Sequence, residues 1–154
     1  MHAHPVALSA AGLAVTTAND LAQITITDDR PIFIAGIEVV QSSDLGDAAE
    51  EVLRWRLLKG VTTGTTGGTA LTVTKIEGNG PTPGVSGTAN WTNASTGGTV
   101  IVRGGFNIRV GEKLWFPPDF RPLIGQADSP CSFRLEAAPT DSLTIDVCVY
   151  VLEV

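Results

Sequence analysis

Residue types that carry acid–base or nucleophilic chemistry are few here. The two histidines, His2 and His4, sit together at one end of the chain, on a segment expected to be mobile. No internal imidazole is left to complete a Ser-His-Asp or Cys-His arrangement. His2-Ala3-His4 could pick up a stray metal ion, which is a property of tails. Carboxylates gather at Asp28-Asp29 and at Asp44, Asp47, Glu50 and Glu51. Paired carboxylates can hydrolyse glycosides or hold calcium. Asp44-Leu45-Gly46-Asp47, however, lacks the alternating oxygen ligands of an EF-hand loop and reads as a solvated cap and turn. Cys131 and Cys148 alone cannot make a zinc site. If "APTDS" turns a hairpin, Cys131 falls nearly opposite Tyr150, with Cys148 a diagonal neighbour about 7 Å away. That is too far for an easy disulfide, so two buried free thiols are expected. No Walker loop, HExxH or GxSxG occurs. Trp55, Trp91 and Trp115 could build a sugar-stacking platform, or serve as anchors in a core or subunit interface. Trp55 fits a core-facing strand position; Trp91 and Trp115 each stand beside a turn and are expected to be exposed. The expectation is a non-enzymatic protein with no cofactor and no metal.

The elements that must position these residues read as strands. Residues 22–27, 31–41, 52–58, 70–76, 99–104, 106–111, 131–137 and 143–154 are short, rich in β-branched residues, and mostly separated by Gly, Pro, Asn, Asp or Thr clusters. "LRWRL" alternates, with Leu53, Trp55 and Leu57 on one face and Arg54 and Arg56 on the other. Only "DLGDAAEEVL" invites a helix, of one or two turns. The closing segment is apolar on both faces, the pattern of a strand buried on both sides. Residues 62–69 read as a Thr/Gly loop and 77–98 as a long ordered excursion touching a neighbouring molecule. Pro31 and Pro122 each follow an arginine and precede an apolar run. Proline lacks the N–H that a sheet ladder needs, so it marks a strand's first residue. Arg30 and Arg121 then stand at strand entrances, with Asp29 and Asp119 nearby. The whole predicts an all-β fold: one β-sandwich or jelly-roll-like domain of about eight strands over 21–154, at most one short helix, and an N-terminal arm over 1–20.

Charge narrows the partners. Charged residues are 17% of the chain against a usual share of about 25%. A surface so sparsely charged is expected to be partly covered by another molecule, such as a second copy. The net charge of −6 and scattered basic residues disfavour nucleic acid, whose affinity comes mainly from Lys and Arg. No apolar run approaches the roughly 20 residues of a membrane span. "MHAHPVALSAAGLAV" has no Lys or Arg before its apolar part, unlike a secretory signal. The chain is expected to be soluble and made in a cytoplasm.

Three stretches carry a resemblance: "RPIFIAGIEVVQSSDLGDAAEEVLRWRLLKGVTTGTTGG", "LWFPPDFRP" and "FRLEAAPTDSLTIDVCVYVLEV". Together they resemble small β-sandwich virion proteins of tailed bacteriophages, of the capsid decoration (cement) type. The likeness covers most of the chain after Arg30 and none of the first 20 residues. It implies a virion protein on the capsid exterior that binds the major capsid protein as a homotrimer. Capsid contacts are then expected from the arm (His4, Val6, Leu8, Leu13 and Val15) and from a loop end carrying Trp91. Trp115, Phe116, Phe120 and Arg121, at the Pro-Pro corner, are expected to pack within or between subunits. A carbohydrate-binding module or tail-fibre tip is the rival expectation, with Trp91 and Trp115 on sugar.

Overall fold

In a computed structural model describing residues 2–42, 50–63 and 66–154, two antiparallel sheets pack together as an all-β sandwich. The first sheet contains β1 (His4–Val15), β3 (Ile32–Gln41), β6 (Thr72–Lys75), β9 (Glu112–Trp115), β10 (Leu123–Ile124) and β12 (Leu143–Glu153). Its order is β10-β3-β12-β1-β6, with β9 also paired to β3. The second contains β2 (Asp20–Ile26), β4 (Val52–Val61), β5 (Thr66–Ala70), β7 (Val85–Asn93), β8 (Gly97–Asn107) and β11 (Cys131–Leu135), in the order β5-β7-β2-β11-β4-β8.

Period-2 alternation decides which side chains fill the space between the sheets. On β12, Leu143, Ile145, Val147, Val149 and Val151 are buried, while Thr144, Asp146, Cys148, Tyr150 and Leu152 are half-buried on the other face. Leu53, Trp55 and Leu57 of β4 point inward as their spacing predicts, and Trp55 meets Phe133 of β11 at 5.6 Å between ring centroids. Glu51 ties the approach to β4 to the β11–β12 turn, accepting bonds from the Thr140 N–H (2.8 Å) and hydroxyl (3.0 Å). Among the described residues the only helical turns are 3-10 turns at Pro118–Phe120 and Gln126–Asp128, and no helix is long and apolar enough to cross a membrane. Asp44, Asp47 and most of the expected short helix lie outside the described residues.

Several expectations are corrected. The arm is a strand: β1 lies between β12 and β6, and Val6, Leu8, Leu13 and Val15 are core residues, 2% exposed or less. A segment of alternating Val, Leu and Ala buries its apolar face in a sheet more favourably than it waits in water for a partner. The excursion over 77–98 contains β7, and the Thr/Gly loop runs into β5; these two pair along the edge of the second sheet. Residues 106–111 are not a separate strand, since β8 runs on to Asn107 before the chain turns. Cys131 does not face Tyr150. Its strand pairs with β2 and β4 in the second sheet, whereas Cys148 lies on β12 in the first. Both thiols are free, but only Cys131 is fully buried.

The two Arg-Pro steps meet. Strand β3 begins just after Pro31 and β10 just after Pro122, and the strands pair through Phe33–Leu123 and Ile32–Ile124. Both proline carbonyls accept bonds, from the Ile34 N–H to Pro122 (3.0 Å) and from the Val154 N–H to Pro31 (3.1 Å). Arg30 pairs with Asp28 rather than Asp29: its Nε donates to Asp28 Oδ2 at 2.7 Å. It also donates to the Thr82 carbonyl (2.7 Å) and lies 3.2 Å from the buried Glu153 carboxylate. Burial raises the Asp28 carboxyl, but hydrogen bonds and charge from Arg30 outweigh it and hold Asp28 below its ordinary value. Gly84 closes the cluster, its N–H donating to Glu153 Oε1 at 2.6 Å; a Cβ there would collide with the Asp28 carboxylate. Punctuation with a local ion pair therefore describes the first step. At the second, Arg121 Nε donates to the Phe116 carbonyl (3.4 Å) across the Pro-Pro corner.

Candidate functional site

The outer face of the first sheet is built from three cross-strand rows. One row is Pro5, Leu152, Phe33 and Leu123. The next is Thr74, Ala7, Tyr150, Gly36 and Trp115, and the third is Thr72, Ser9, Cys148, Glu38 and Lys113. A register shift between Tyr150 and Val151 leaves Ala35 without a partner on β12. This bulge resets the alternation, so Phe33 and Gly36 share the outer face while Ile34 and Ile37 point inward.

Gly36 is what lets the second row form. Trp115 lies across it so closely that a Cβ would stand 2.8 Å from the indole Cε3 and 2.6 Å from the Leu114 carbonyl oxygen. Held there, the indole stacks on Tyr150 with ring centroids 4.7 Å apart and planes at 30°. Trp115 is 49% exposed and Leu123 51%, so a solvent-facing aromatic pair adjoins an apolar row. The rim is polar. The Tyr150 hydroxyl donates to Glu38 Oε2 at 3.3 Å, and Lys113 Nζ stands 3.7 Å from Glu38 Oε1. Beyond it an open cleft of about 490 Å³ is lined by Ser9, Ala10, Glu38, Val40, Asp146 and Cys148.

Hydrogen bonding to Cys148, then burial and the nearby Glu38 carboxylate, push the Tyr150 phenol up to about 12, so it remains a donor at neutral pH. Burial likewise raises the Cys148 thiol, and it pushes Cys131 up to about 12. Alkylation needs the thiolate and access. At pH 8 the native chain is expected to take at most one alkyl group, slowly and at Cys148, and two once unfolded in urea. Mass spectrometry checks this, and rapid labelling of Cys131 in the folded chain would contradict the burial described.

The candidate residues separate into three places. Trp115, Phe116, Phe120 and Arg121 come together at the Pro-Pro corner: Phe116 packs on the core, and Phe120 is 76% exposed on its 3-10 turn. Trp91 is half-buried on β7 of the second sheet, its ring close to Gly68, and is not joined to Trp115. His4 is half-buried where β1 begins; Val6, Leu8, Leu13 and Val15 are core. Phe33, Leu123, Tyr150 and Leu152 were not among the candidates. For Tyr150 and Leu152 the signal is the closing segment, apolar on both faces. It is flanked by β3 and β1 within the sheet, yet only one of its faces is covered by the other sheet. No protein-family model, curated protein or solved structure matches the chain.

Proposed function

We propose that this chain is a capsid decoration (cement) protein of a tailed bacteriophage, a non-enzymatic homotrimer that binds the outer surface of the assembled major capsid lattice. The contact is the outer face of the first sheet, in place of the N-terminal segment. One observation carries this most: β12 has the composition of a doubly covered strand, but Tyr150 and Leu152 face outward beside Phe33, Leu123 and Trp115. Apolar area left open on a sheet gains roughly 25 cal/mol per Å² when a partner removes it from water. Central aromatic anchors with a polar rim are the usual anatomy of such a contact.

The sequence motifs resembling phage decoration proteins supply the identity of the partner, and the sandwich is the fold they imply. A cement protein stabilises the lattice because it binds the assembled state better than free subunits. Three linked contacts at a local threefold raise avidity by about 10²–10⁴ over one. Phe120, exposed beside the face, contributes to the contact between decoration subunits. The test is re-binding: purified chain is mixed with capsids stripped of decoration and sedimented. Saturable binding to expanded capsids, with none to free major capsid protein, is expected. Failure to bind any assembled capsid would overturn the proposal.

The Trp115–Tyr150 stack gives a second reading some footing, because exposed aromatic faces also bind sugar rings. A carbohydrate-binding module would retain glycan binding in Leu123→Asp, which alters the apolar row, and lose it in Trp115→Ala. A capsid-binding protein is impaired by both.

A further inference from the structure

We propose that His2, His4 and Glu77 form a Zn²⁺ site that fastens the start of β1 to the turn after β6. Among the described residues this is the set of three metal-capable side chains whose ligand atoms all lie within 4.8 Å of one another. It is independent of capsid binding.

Sheet register brings the three together. Val6 pairs with Lys75 across β1 and β6, and the Ile76 N–H donates to the Pro5 carbonyl at 3.0 Å. Carrying that register two residues further sets Glu77 opposite His4. The His-x-His spacing then places His2 on the same face of the strand, since alternate residues share a side. The turn is itself fastened: Gly80 N–H donates to the Glu77 carbonyl at 3.2 Å, and Lys75 Nζ donates to the Gly80 carbonyl at 3.0 Å. Glu77 is therefore presented by a closed turn rather than a free loop.

The distances suit a small tetrahedral ion. Glu77 Oε2 lies 3.2 Å from both His2 Nε2 and His4 Nδ1, so one carboxylate oxygen faces both imidazole nitrogens. Bonds of about 2.0–2.2 Å in tetrahedral geometry put ligand atoms about 3.3–3.6 Å apart, close to these two nitrogen–oxygen distances. The imidazole rings stand edge-to-face, 5.0 Å between centroids, and do not block one another. Two imidazoles and one carboxylate suit zinc rather than calcium or magnesium, which prefer oxygen ligands. Three protein ligands leave the fourth position to water.

The test titrates the full chain, free of any polyhistidine tag, with ZnCl2 by calorimetry and thermal unfolding. One Zn²⁺ per chain is expected, with Tm raised by roughly 5 °C or more at 100-fold excess over Kd. MgCl2 and CaCl2 should leave Tm unchanged. Losing even an outer partner of a metal ligand costs about 10–100-fold in affinity, so His4→Ala and Glu77→Gln should each weaken binding at least 10-fold. Both side chains are half-buried and neither belongs to the core, so the variants are expected to fold. No response to Zn²⁺, an equal response to Mg²⁺, or wild-type affinity in Glu77→Gln would overturn the site; the last would reduce it to an adventitious histidine pair.

Discussion

Asp20→Ala is expected to lower folding stability by about 3–5 kcal/mol, a large fraction of the roughly 5–15 kcal/mol that holds a domain together. Asp20 opens β2 and is fully buried. Its Oδ1 accepts from Arg134 Nε at 3.0 Å and from the Ser132 hydroxyl, while Oδ2 accepts the Ser95 N–H at 2.7 Å. Arg134 also donates to the Ser95 hydroxyl. One carboxylate thus joins β2, β11 and the β7–β8 turn. Removing it strands a guanidinium only 8% exposed, together with an N–H and a hydroxyl. The penalty comes mostly from those orphaned groups rather than from loss of a favourable pair. Asp20→Ala/Arg134→Met should therefore recover part of the loss, because the buried charge has gone too. Urea unfolding of Asp20→Ala, Arg134→Met and the double variant measures this. A double variant as unstable as the sum of the two single ones would show that the groups do not act as a unit.

Trp115→Ala is expected to weaken capsid binding by at least about 30-fold, the loss of a contact worth 2 kcal/mol or more. Leu123→Asp should do comparable damage by placing a charge in the apolar row. Neither residue lies in the core, so both variants should keep the unfolding midpoint within a few degrees of the parent. A substitution on the second sheet, Ile101→Asp, supplies the control: Ile101 is 37% exposed and lies on β8, the strand that ends the second sheet. It should bind as the parent does. Sedimentation with stripped capsids over a concentration series reads all three. Equal loss in Ile101→Asp would assign the contact to the wrong sheet.

Fold class was legible because its signals are local. Alternation in "LRWRL" and the prolines at Pro31 and Pro122 act within a few residues, and the structure places them as expected. The first strand was missed for a physical reason. "HPVALSAAGLAV" contains four alanines and a glycine, which carry little strand preference, and it is ordered by pairing with β12 and β6, a contact distant in sequence. Strand β7, "VSGTANWTN", was hidden the same way by Gly, Asn and Thr. The outer face depends on the bulge at Ala35, which turns Phe33 and Gly36 to the same side, and no short-range pattern announces it. The His2–His4–Glu77 cluster needs the register of β1 on β6, so a sequence reading finds two of its ligands and not the third. What could be seen in advance was the double apolar character of β12. That pattern predicts burial on both sides, whereas the sandwich covers one side and leaves the other half-open.

Electron microscopy of virions carrying this chain tests the central claim most directly. Sandwich-shaped density is predicted on the capsid exterior, three copies around a local threefold, with Trp115, Tyr150 and Leu152 turned toward the major capsid protein. A capsid exterior without that density, or density with the same face turned to solvent and touching no neighbour, would contradict it.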